Sequence, residues 1–155
     1  MQSEKRQVSD EHFISSSPEE TFEFGERIGS TLAGGEIVLL HGGLGAGKTL
    51  LTKGVLNALE FDIDEVTSPS FTLVNLYKAK FDVYHIDLWR INSGANAGEA
   101  VGLDEILENE EAVVMIEWAE RLGPYRFTRK VLDVNLTGDG EEPRKITFEN
   151  GQPCG

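Results

Sequence analysis

The alternation of apolar and polar positions predicts a helix near the start of the chain, over residues 18 to about 32. Ser17 is expected to cap its N-terminus, Pro18 suits the first helical position, and Glu20 is placed to reach back towards the cap. Gly34-Gly35 then ends the helix, because glycine adopts the left-handed conformation that closes many helices. The apolar stripe predicted for the inner face of this helix consists of Phe22, Ile28 and Leu32.

The middle of the chain alternates between strand-like and helix-like blocks. Residues 36 to 41 form a short apolar run that predicts a buried strand, and residues 48 to 59 predict a second helix. Two further strand-like runs, 71 to 77 and 81 to 89, are separated by only three residues. Because a parallel connection needs about a dozen residues or more, this pair is predicted to form a β-hairpin.

The second half of the chain continues the same alternation. We expect a short helix over residues 99 to 107, a second buried strand over 112 to 116, and two more strands over 131 to 136 and 145 to 148. A hairpin combined with helix-connected strands predicts an α/β domain with a mixed sheet, in which parallel and antiparallel strands occur together.

Composition and charge restrict the classes of function. The chain has 155 residues, 39% hydrophobic and 26% charged, which predicts one globular domain with mobile tails at 1 to 13 and 150 to 155. Fourteen basic and 27 acidic residues give a net charge of −13, which disfavours direct binding of nucleic acid, although acidity also serves solubility alone. The sequence shows no signal peptide or membrane span, and the single Cys154 cannot form an internal disulfide. We therefore expect a cytoplasmic protein.

A glycine-rich stretch joins the first predicted strand to the second helix and carries the strongest chemical signal. Gly42, Gly47, Lys48 and Thr49 fit the pattern G-x-x-x-x-G-K-[ST]. The N–H groups of such a loop cradle a phosphate chain, Lys48 contacts the outer phosphates, and Thr49 completes the coordination of Mg²⁺. The alternative interpretation is a flexible glycine-rich turn. The predicted nucleotide-binding residues are Gly42, Gly43, Leu44, Gly45, Ala46, Gly47, Lys48, Thr49 and Leu50.

This loop predicts a P-loop NTPase-like, three-layer α/β/α fold with a mixed sheet, and such a fold needs an acidic residue near the metal ion. Glu117 ends the second buried strand and fits that position, unless it is only a solvated acid at a strand end. Asp87 is embedded in another apolar strand, where a carboxylate is costly unless it is paired or bound to a metal. Arg90 could neutralise Asp87 or a phosphate. His85 shares the strand face of Asp87, and we expect it, like His41, to be structural.

Several blocks of the sequence occur together in an order that is more specific than the glycine-rich loop alone. They are GLGAGKT with the following Lys53-Gly54, TSPSFTLVN at 67 to 75, HIDLWR at 85 to 90, GLDE at 102 to 105, and IEWAERL at 116 to 122. With these blocks the chain resembles the TsaE family, the bacterial ATPase of tRNA threonylcarbamoyladenosine biosynthesis. The resemblance extends from about residue 18 to residue 136.

The resemblance implies ATP hydrolysis with ATP and Mg²⁺ bound. The family ATPase works docked on TsaD-like and TsaB-like subunits of a complex that modifies adenosine 37 in tRNAs reading codons that begin with A. This protein would thus meet tRNA only through the complex, away from any membrane. The resemblance assigns Lys48 and Thr49 to phosphate and metal, and Asp87 and Glu117 to essential acids near the metal and the attacking water. It places Trp118 close to the nucleotide. The implied switch loop consists of Thr67, Ser68, Pro69 and Ser70.

Two positions depart from the family pattern. Trp89 stands where the family usually has Tyr, and Leu76 where it usually has Glu. No role is assigned to either residue. The motif blocks also show no evident basic finger that would stabilise the charge of the reacting phosphate, so we expect slow hydrolysis by the chain alone and faster hydrolysis with its partners.

Two alternative functions use the same phosphate cradle. A small-molecule kinase would pass the phosphate to a bound hydroxyl, although the segment between Lys48 and Arg90 contains no arginine that a kinase lid would use. An ATP-dependent binding switch would use ATP only to set the shape of the 67 to 70 segment, without essential hydrolysis.

Overall fold

The computed structural model describes residues 11–42, 47–66, 73–91, 96–138 and 143–151. Their elements form one seven-stranded sheet with the strand order β1-β7-β6-β2-β5-β4-β3 and helices on both faces. The strands are β1 (Glu11–Ser15), β2 (Ile37–His41), β3 (Val74–Lys78), β4 (Asp82–Asp87), β5 (Val113–Glu117), β6 (Val131–Thr137) and β7 (Arg144–Gly151). The helices are α1 (Pro18–Thr31), α2 (Lys48–Ala58), α3 (Ala97–Ala100) and α4 (Leu103–Ile106), with short 3₁₀ turns at Ile63–Glu65 and Ala119–Leu122.

The start of α1 agrees with its sequence signals. The Ser17 hydroxyl accepts a hydrogen bond from the Glu20 N–H at 3.2 Å, and Pro18 occupies the first helical position. The Glu20 carboxylate does reach back, but it accepts from the N–H of Ser16 at 2.7 Å, one residue earlier than a standard capping box. The cap and Glu20 together therefore satisfy two backbone N–H groups at this helix start.

The sheet is mixed, as the sequence predicts. Strands β6, β2, β5 and β4 are parallel neighbours and form its centre. The pairs β3–β4, β6–β7 and β1–β7 are antiparallel and form its two sides. The predicted hairpin is confirmed as β3–β4, with Val74 opposite Ile86 and Lys78 opposite Asp82. The parallel centre brings the carboxyl ends of β2, β4 and β5 to one edge of the sheet.

Apolar side chains cover both faces of the sheet and give the three layers of the predicted fold. One face packs against α1 and α2, with Ile28, Leu51 and Met115 among its buried residues. The other packs against α3, α4 and the 3₁₀ turn Ala119–Leu122, with Leu103 and Ile116 among its buried residues. The central strands are buried on both sides, which explains their nearly continuous apolar sequences. No helix in the described ranges has the length and apolar character needed to cross a membrane.

The mobile tails predicted at 1 to 13 and 150 to 155 include residues that belong to strands. Residues 11 to 13 belong to β1, which pairs with β7. Asn150 and Gly151 belong to β7. The polar sequence around β1 hid this strand, because its pairing partner lies more than a hundred positions away in the chain. Residues 1–10 and 152–155 lie outside the described residues.

Two helix predictions were also inaccurate. The helix expected over 99 to 107 consists of α3 and α4, since Gly102 interrupts it with a left-handed φ of +70°. In α1, Phe22 is only partly buried and Phe24 is buried in its place. The inner face of α1 includes Thr21, Gly25 and Gly29, so small and polar residues concealed it from a search for apolar positions.

Candidate functional site

The end of β2 leads into the glycine-rich stretch and then into α2. Gly42 and Gly47 have φ angles of +151° and +107°, which glycine adopts more readily than other residues. Lys48, the first residue of α2, is buried, and its ammonium group donates a hydrogen bond to the Gly42 carbonyl. Thr49 is exposed and Leu50 is partly buried. The remaining predicted loop residues, Gly43, Leu44, Gly45 and Ala46, lie outside the described residues.

Two predicted acids lie side by side at the carboxyl edge of the parallel strands. Asp87 ends β4 and is aligned with Glu117, which ends β5. Glu117 is aligned in turn with Leu40 on β2, one residue before the strand ends at His41. Each of the two acidic residues has only 4% of its surface exposed. The alternative of a solvated acid at a strand end is therefore wrong for Glu117, and Asp87 does not lie on an exposed strand face.

Burial and charge act together on this group. Burial raises the pKa of Asp87, and the negative charge of Glu117 raises it further, while the hydrogen bond from the Trp89 N–H at 2.9 Å lowers it. Burial lowers the pKa of Lys48, and the charges of Glu117 and Asp87 oppose that shift. Two buried carboxylates and a buried ammonium thus lie close enough to affect each other electrostatically.

His85 joins this group through Glu117. Its Nε2 lies 2.7 Å from Glu117 Oε2, and the imidazole is completely buried. Its Nδ1 has no hydrogen-bond partner among the described residues. The sequence placed His85 on the strand face of Asp87, but it gave no indication that the ring would contact Glu117 on the neighbouring strand.

Two tryptophans and an arginine form a cluster that contacts Lys48 through Trp118. Trp118 has a left-handed backbone with φ of +59°, and the Lys48 ammonium lies 4.4 Å from the centre of its ring. The ring centre of Trp89 is 4.7 Å from that of Trp118. The Arg121 guanidinium lies 5.6 Å from the centre of Trp89 and 5.3 Å from that of Trp118. Arg121 also donates to the Ile91 carbonyl at 2.7 Å. Sequence reasoning missed Arg121, although it belongs to the IEWAERL block.

His41 does not simply pack, as the sequence had suggested. Its Nδ1 lies 3.0 Å from Glu120 Oε1, and its Nε2 lies 3.0 Å from Asp133 Oδ1. The hydrogen bond to Asp133 is the largest cause that raises the pKa of His41, and Glu120 acts in the same direction. His41 therefore ties the end of β2 to β6 and to the turn after Trp118.

The structure brings most of the described candidate residues to one place, and it leaves others aside. Asp87, Glu117, Lys48 and Trp118 are linked by alignment, charge or ring contact. Arg90 is exposed. Leu76 is exposed on the sheet-edge strand β3, at 42% of its surface. The predicted switch loop, Thr67, Ser68, Pro69 and Ser70, lies outside the described residues.

The residues at this edge fit Mg²⁺ bound together with a nucleotide. Among the described residues, no three His, Cys, Asp or Glu side chains are grouped as a metal cluster. Mg²⁺ in nucleotide sites usually uses one or two carboxylates, phosphate oxygens and water instead. The adjacent carboxylates of Asp87 and Glu117 supply such oxygens, and burial of both makes a cation beside them favourable.

Comparison with known proteins gives a consistent result. A family model described as "Threonylcarbamoyl adenosine biosynthesis protein TsaE" matches residues 15–146. The chain is 37% identical over 125 residues to the tRNA threonylcarbamoyladenosine biosynthesis protein TsaE of Mycobacterium tuberculosis, covering 76% of this chain and 73% of that protein. It is 36% identical over 138 residues to the protein of the same name in Treponema pallidum, covering 86% and 96%.

A solved structure is similar as well. The structure titled "Crystal structure of Bacillus subtilus YdiB" matches with a TM-score of 0.67 and 28% sequence identity. The match covers 92% of this chain and 86% of that one. The similarity therefore extends over most of the fold.

Proposed function

This chain belongs to the TsaE family of threonylcarbamoyl adenosine biosynthesis proteins, and from that premise we propose that it is a magnesium-dependent ATPase. It hydrolyses ATP while docked on TsaD-like and TsaB-like subunits that modify adenosine 37 of tRNAs reading codons that begin with A. The protein works in the cytoplasm, and the partner subunits hold the tRNA, because a net charge of −13 is unsuited to binding it directly.

One observation carries the proposal of ATP hydrolysis. The aligned carboxylates of Asp87 and Glu117 lie at the same sheet edge as Lys48, whose ammonium group contacts the first residue of the glycine-rich stretch. A buried cation beside two buried carboxylates is costly to maintain, so the arrangement favours a role in binding and reaction. The sequence pattern around Lys48 makes a nucleoside triphosphate with Mg²⁺ the substrate that suits it best.

The proposed reaction depends on position and charge. Lys48 and the loop N–H groups hold the phosphates, while Thr49 and Glu117 hold the metal ion. Bound Mg²⁺ neutralises the charge of the outer phosphates. Asp87 would orient a water molecule whose oxygen forms a bond to the γ-phosphorus as the bond to the leaving ADP oxygen breaks. The products are ADP and inorganic phosphate, and a proton is released.

Trp118 and Lys48 provide a way to detect nucleotide binding. In the structure the Lys48 ammonium is held by the Gly42 carbonyl and faces the Trp118 ring. Because Lys48 must contact phosphate when ATP binds, the surroundings of the Trp118 indole change at that step. Tryptophan fluorescence is therefore a suitable measure of nucleotide binding for this protein.

Replacing Lys48 with Ala tests the proposed role of this residue. We expect loss of ATP hydrolysis to background, since the charge on the outer phosphates is removed, and a free energy of unfolding within about 1 kcal/mol of the wild type. Phosphate release and urea unfolding measure the two quantities. Lys78→Ala, at an exposed lysine on β3, is the control and should leave hydrolysis unchanged. Wild-type hydrolysis in Lys48→Ala would refute the site.

A further inference from the structure

One contact at this site has no part in the proposed hydrolysis. His85 lies on β4, two residues before Asp87, and its Nε2 contacts Glu117 Oε2 on β5 at 2.7 Å. Both side chains are buried, the imidazole completely and the Glu117 side chain to all but 6%. The contact is therefore shielded from water and holds its geometry more firmly than a surface pair would.

The cost of burying His85 indicates that the ring has a purpose beyond filling space. Within the described ranges its Nδ1 is buried without a hydrogen-bond partner. An unsatisfied buried polar atom costs about 1–3 kcal/mol, whereas an apolar side chain of similar size would avoid that cost. Its neighbour on the same strand face, Val83, is such an apolar residue and is equally buried. The imidazole at position 85 is thus explained by the contact of its Nε2 with Glu117.

We propose that His85 is a positioning residue for Glu117. Its Nε2–H donates to Glu117 Oε2 and fixes the orientation of the carboxylate, which leaves the other oxygen available to a metal ion. The proposal rests on the proposed function, in which Glu117 holds Mg²⁺. A carboxylate that is already oriented loses less freedom when the ion binds, and it cannot turn both oxygens away from the site.

The expected size of the effect follows from comparable metal sites. Removing a partner that orients a metal ligand typically weakens metal binding by about 10–100-fold. The effect should appear in the Mg²⁺ concentration that half-saturates tight nucleotide binding. Nucleotide binding without Mg²⁺ should not change, because His85 has no place in the phosphate cradle formed by Lys48 and the loop.

Three substitutions of His85 distinguish positioning from packing. His85→Gln keeps an N–H donor at about the place of Nε2, and His85→Asn has the same amide one carbon shorter and does not reach Glu117. His85→Leu keeps apolar bulk without a donor. Val83→Ala is the matched control, since it should reduce stability by creating a cavity on the same strand face without touching Glu117.

The full chain is titrated with Mg²⁺ at a fixed concentration of an ATP analogue that cannot be hydrolysed. Tryptophan fluorescence reports the binding of the nucleotide. We expect His85→Asn and His85→Leu to raise the half-saturating Mg²⁺ concentration by about tenfold or more. In His85→Gln and Val83→Ala this concentration should stay within about threefold of the wild-type value. If His85→Leu does not fold, the comparison of His85→Gln with His85→Asn still shows whether the N–H donor affects Mg²⁺ binding.

The outcomes separate this inference from the function on which it rests. Equal Mg²⁺ dependence in the wild type and His85→Asn would overturn the positioning role and leave the proposed function standing. Equal weakening in His85→Gln and His85→Asn would overturn it too, because retention of the donor would then be irrelevant. If nucleotide binding by the wild type does not depend on the Mg²⁺ concentration, the proposed metal site is wrong, and so is the positioning role of His85.

Discussion

Asp87 is an acidic residue at a position where only 4% of its surface is exposed. Burial and the neighbouring Glu117 raise its pKa, so the folded state binds a proton at this carboxyl more readily than the unfolded chain does. Stability is then lost as the pH rises from the unfolded pKa through the folded one. Above the folded pKa the ionised carboxylate therefore costs stability, and its presence is accounted for by its proposed role with water and Mg²⁺.

Asp87→Asn separates these two effects. The amide removes the charge and keeps an oxygen that can accept from the Trp89 N–H. We expect ATP hydrolysis to fall by about 100-fold or more, and the free energy of unfolding at pH 7 to stay equal or rise. Phosphate release and urea unfolding at pH 7 measure the two quantities. A loss of stability above about 1 kcal/mol, or equal losses of nucleotide binding and hydrolysis, would contradict this account.

His41 should give the fold a weak dependence on pH. Hydrogen bonds and charge from Asp133 and Glu120 raise its pKa above the ordinary value of 6.5. The resulting stabilisation is therefore full below pH 6.5 and disappears as the pH rises through the raised folded pKa. The wild type should be more stable than His41→Gln by about 1 kcal/mol or less below pH 6.5, with no difference at pH 9.

Urea unfolding of both proteins between pH 5 and pH 9 tests this dependence, and His12→Gln at an exposed histidine of β1 is the control. A difference that grew with pH would contradict the ion pairs of His41.

At the level of single residues, the sequence predicts those whose chemistry depends on nearby positions in the chain. Lys48 and Thr49 follow the glycine-rich stretch directly, and Glu117 follows its own apolar strand. The contact of His85 with Glu117 was missed because it depends on the register between β4 and β5. Arg121 was missed because its place over Trp89 and Trp118 depends on how the turn after β5 folds.

Helices α1 and α2 approach each other closely, and α2 begins with Lys48. A Cβ at Gly54 of α2 would lie 2.1 Å from the carbonyl oxygen of Phe22, and one at Gly25 of α1 would lie 2.2 Å from the carbonyl oxygen of Leu51. Backbone meets backbone at both places, so neither clash is relieved by a change of side-chain rotamer. The close contact of the two helices fixes the position of Lys48 relative to the sheet.

Gly54→Ala tests the importance of this contact. Alanine favours a helix by about 1 kcal/mol over glycine, but here the clash should force α2 away from α1. We expect a net loss of about 1–3 kcal/mol in the free energy of unfolding and a lower affinity for ATP. Glu23→Ala, at an exposed position of α1, is the control. An unchanged free energy of unfolding in Gly54→Ala would show that the helices have room to separate.

At the level of elements, prediction succeeded where the signal is local. Three residues between two strand-like runs were enough to predict the β3–β4 hairpin, and a capping serine followed by proline marked the start of α1. Prediction failed where a strand pairs with a strand distant in the chain, or where one backbone angle determines the end of a helix. Strand β1 exists through its pairing with β7, and Gly102 divides α3 from α4 through its left-handed conformation.

The whole molecule combines buried charged residues at one edge of the sheet, Lys48, Asp87 and Glu117, with a strongly negative net charge. The net charge of −13 repels the phosphate backbone of tRNA. In the function proposed above, the partner subunits therefore bind the tRNA themselves. In that proposed function, the protein's own contribution is a step powered by ATP, and the rate of that step depends on the docked partners.

The most direct test is ATP hydrolysis by the purified chain, first alone and then with the TsaD-like and TsaB-like subunits, without any small-molecule acceptor. We predict slow phosphate release by the chain alone and a clear increase when both subunits are added. Hydrolysis without an acceptor would exclude the kinase alternative. The absence of phosphate release in both mixtures would contradict the proposed ATPase, and would favour a kinase without its acceptor or a switch that only binds ATP.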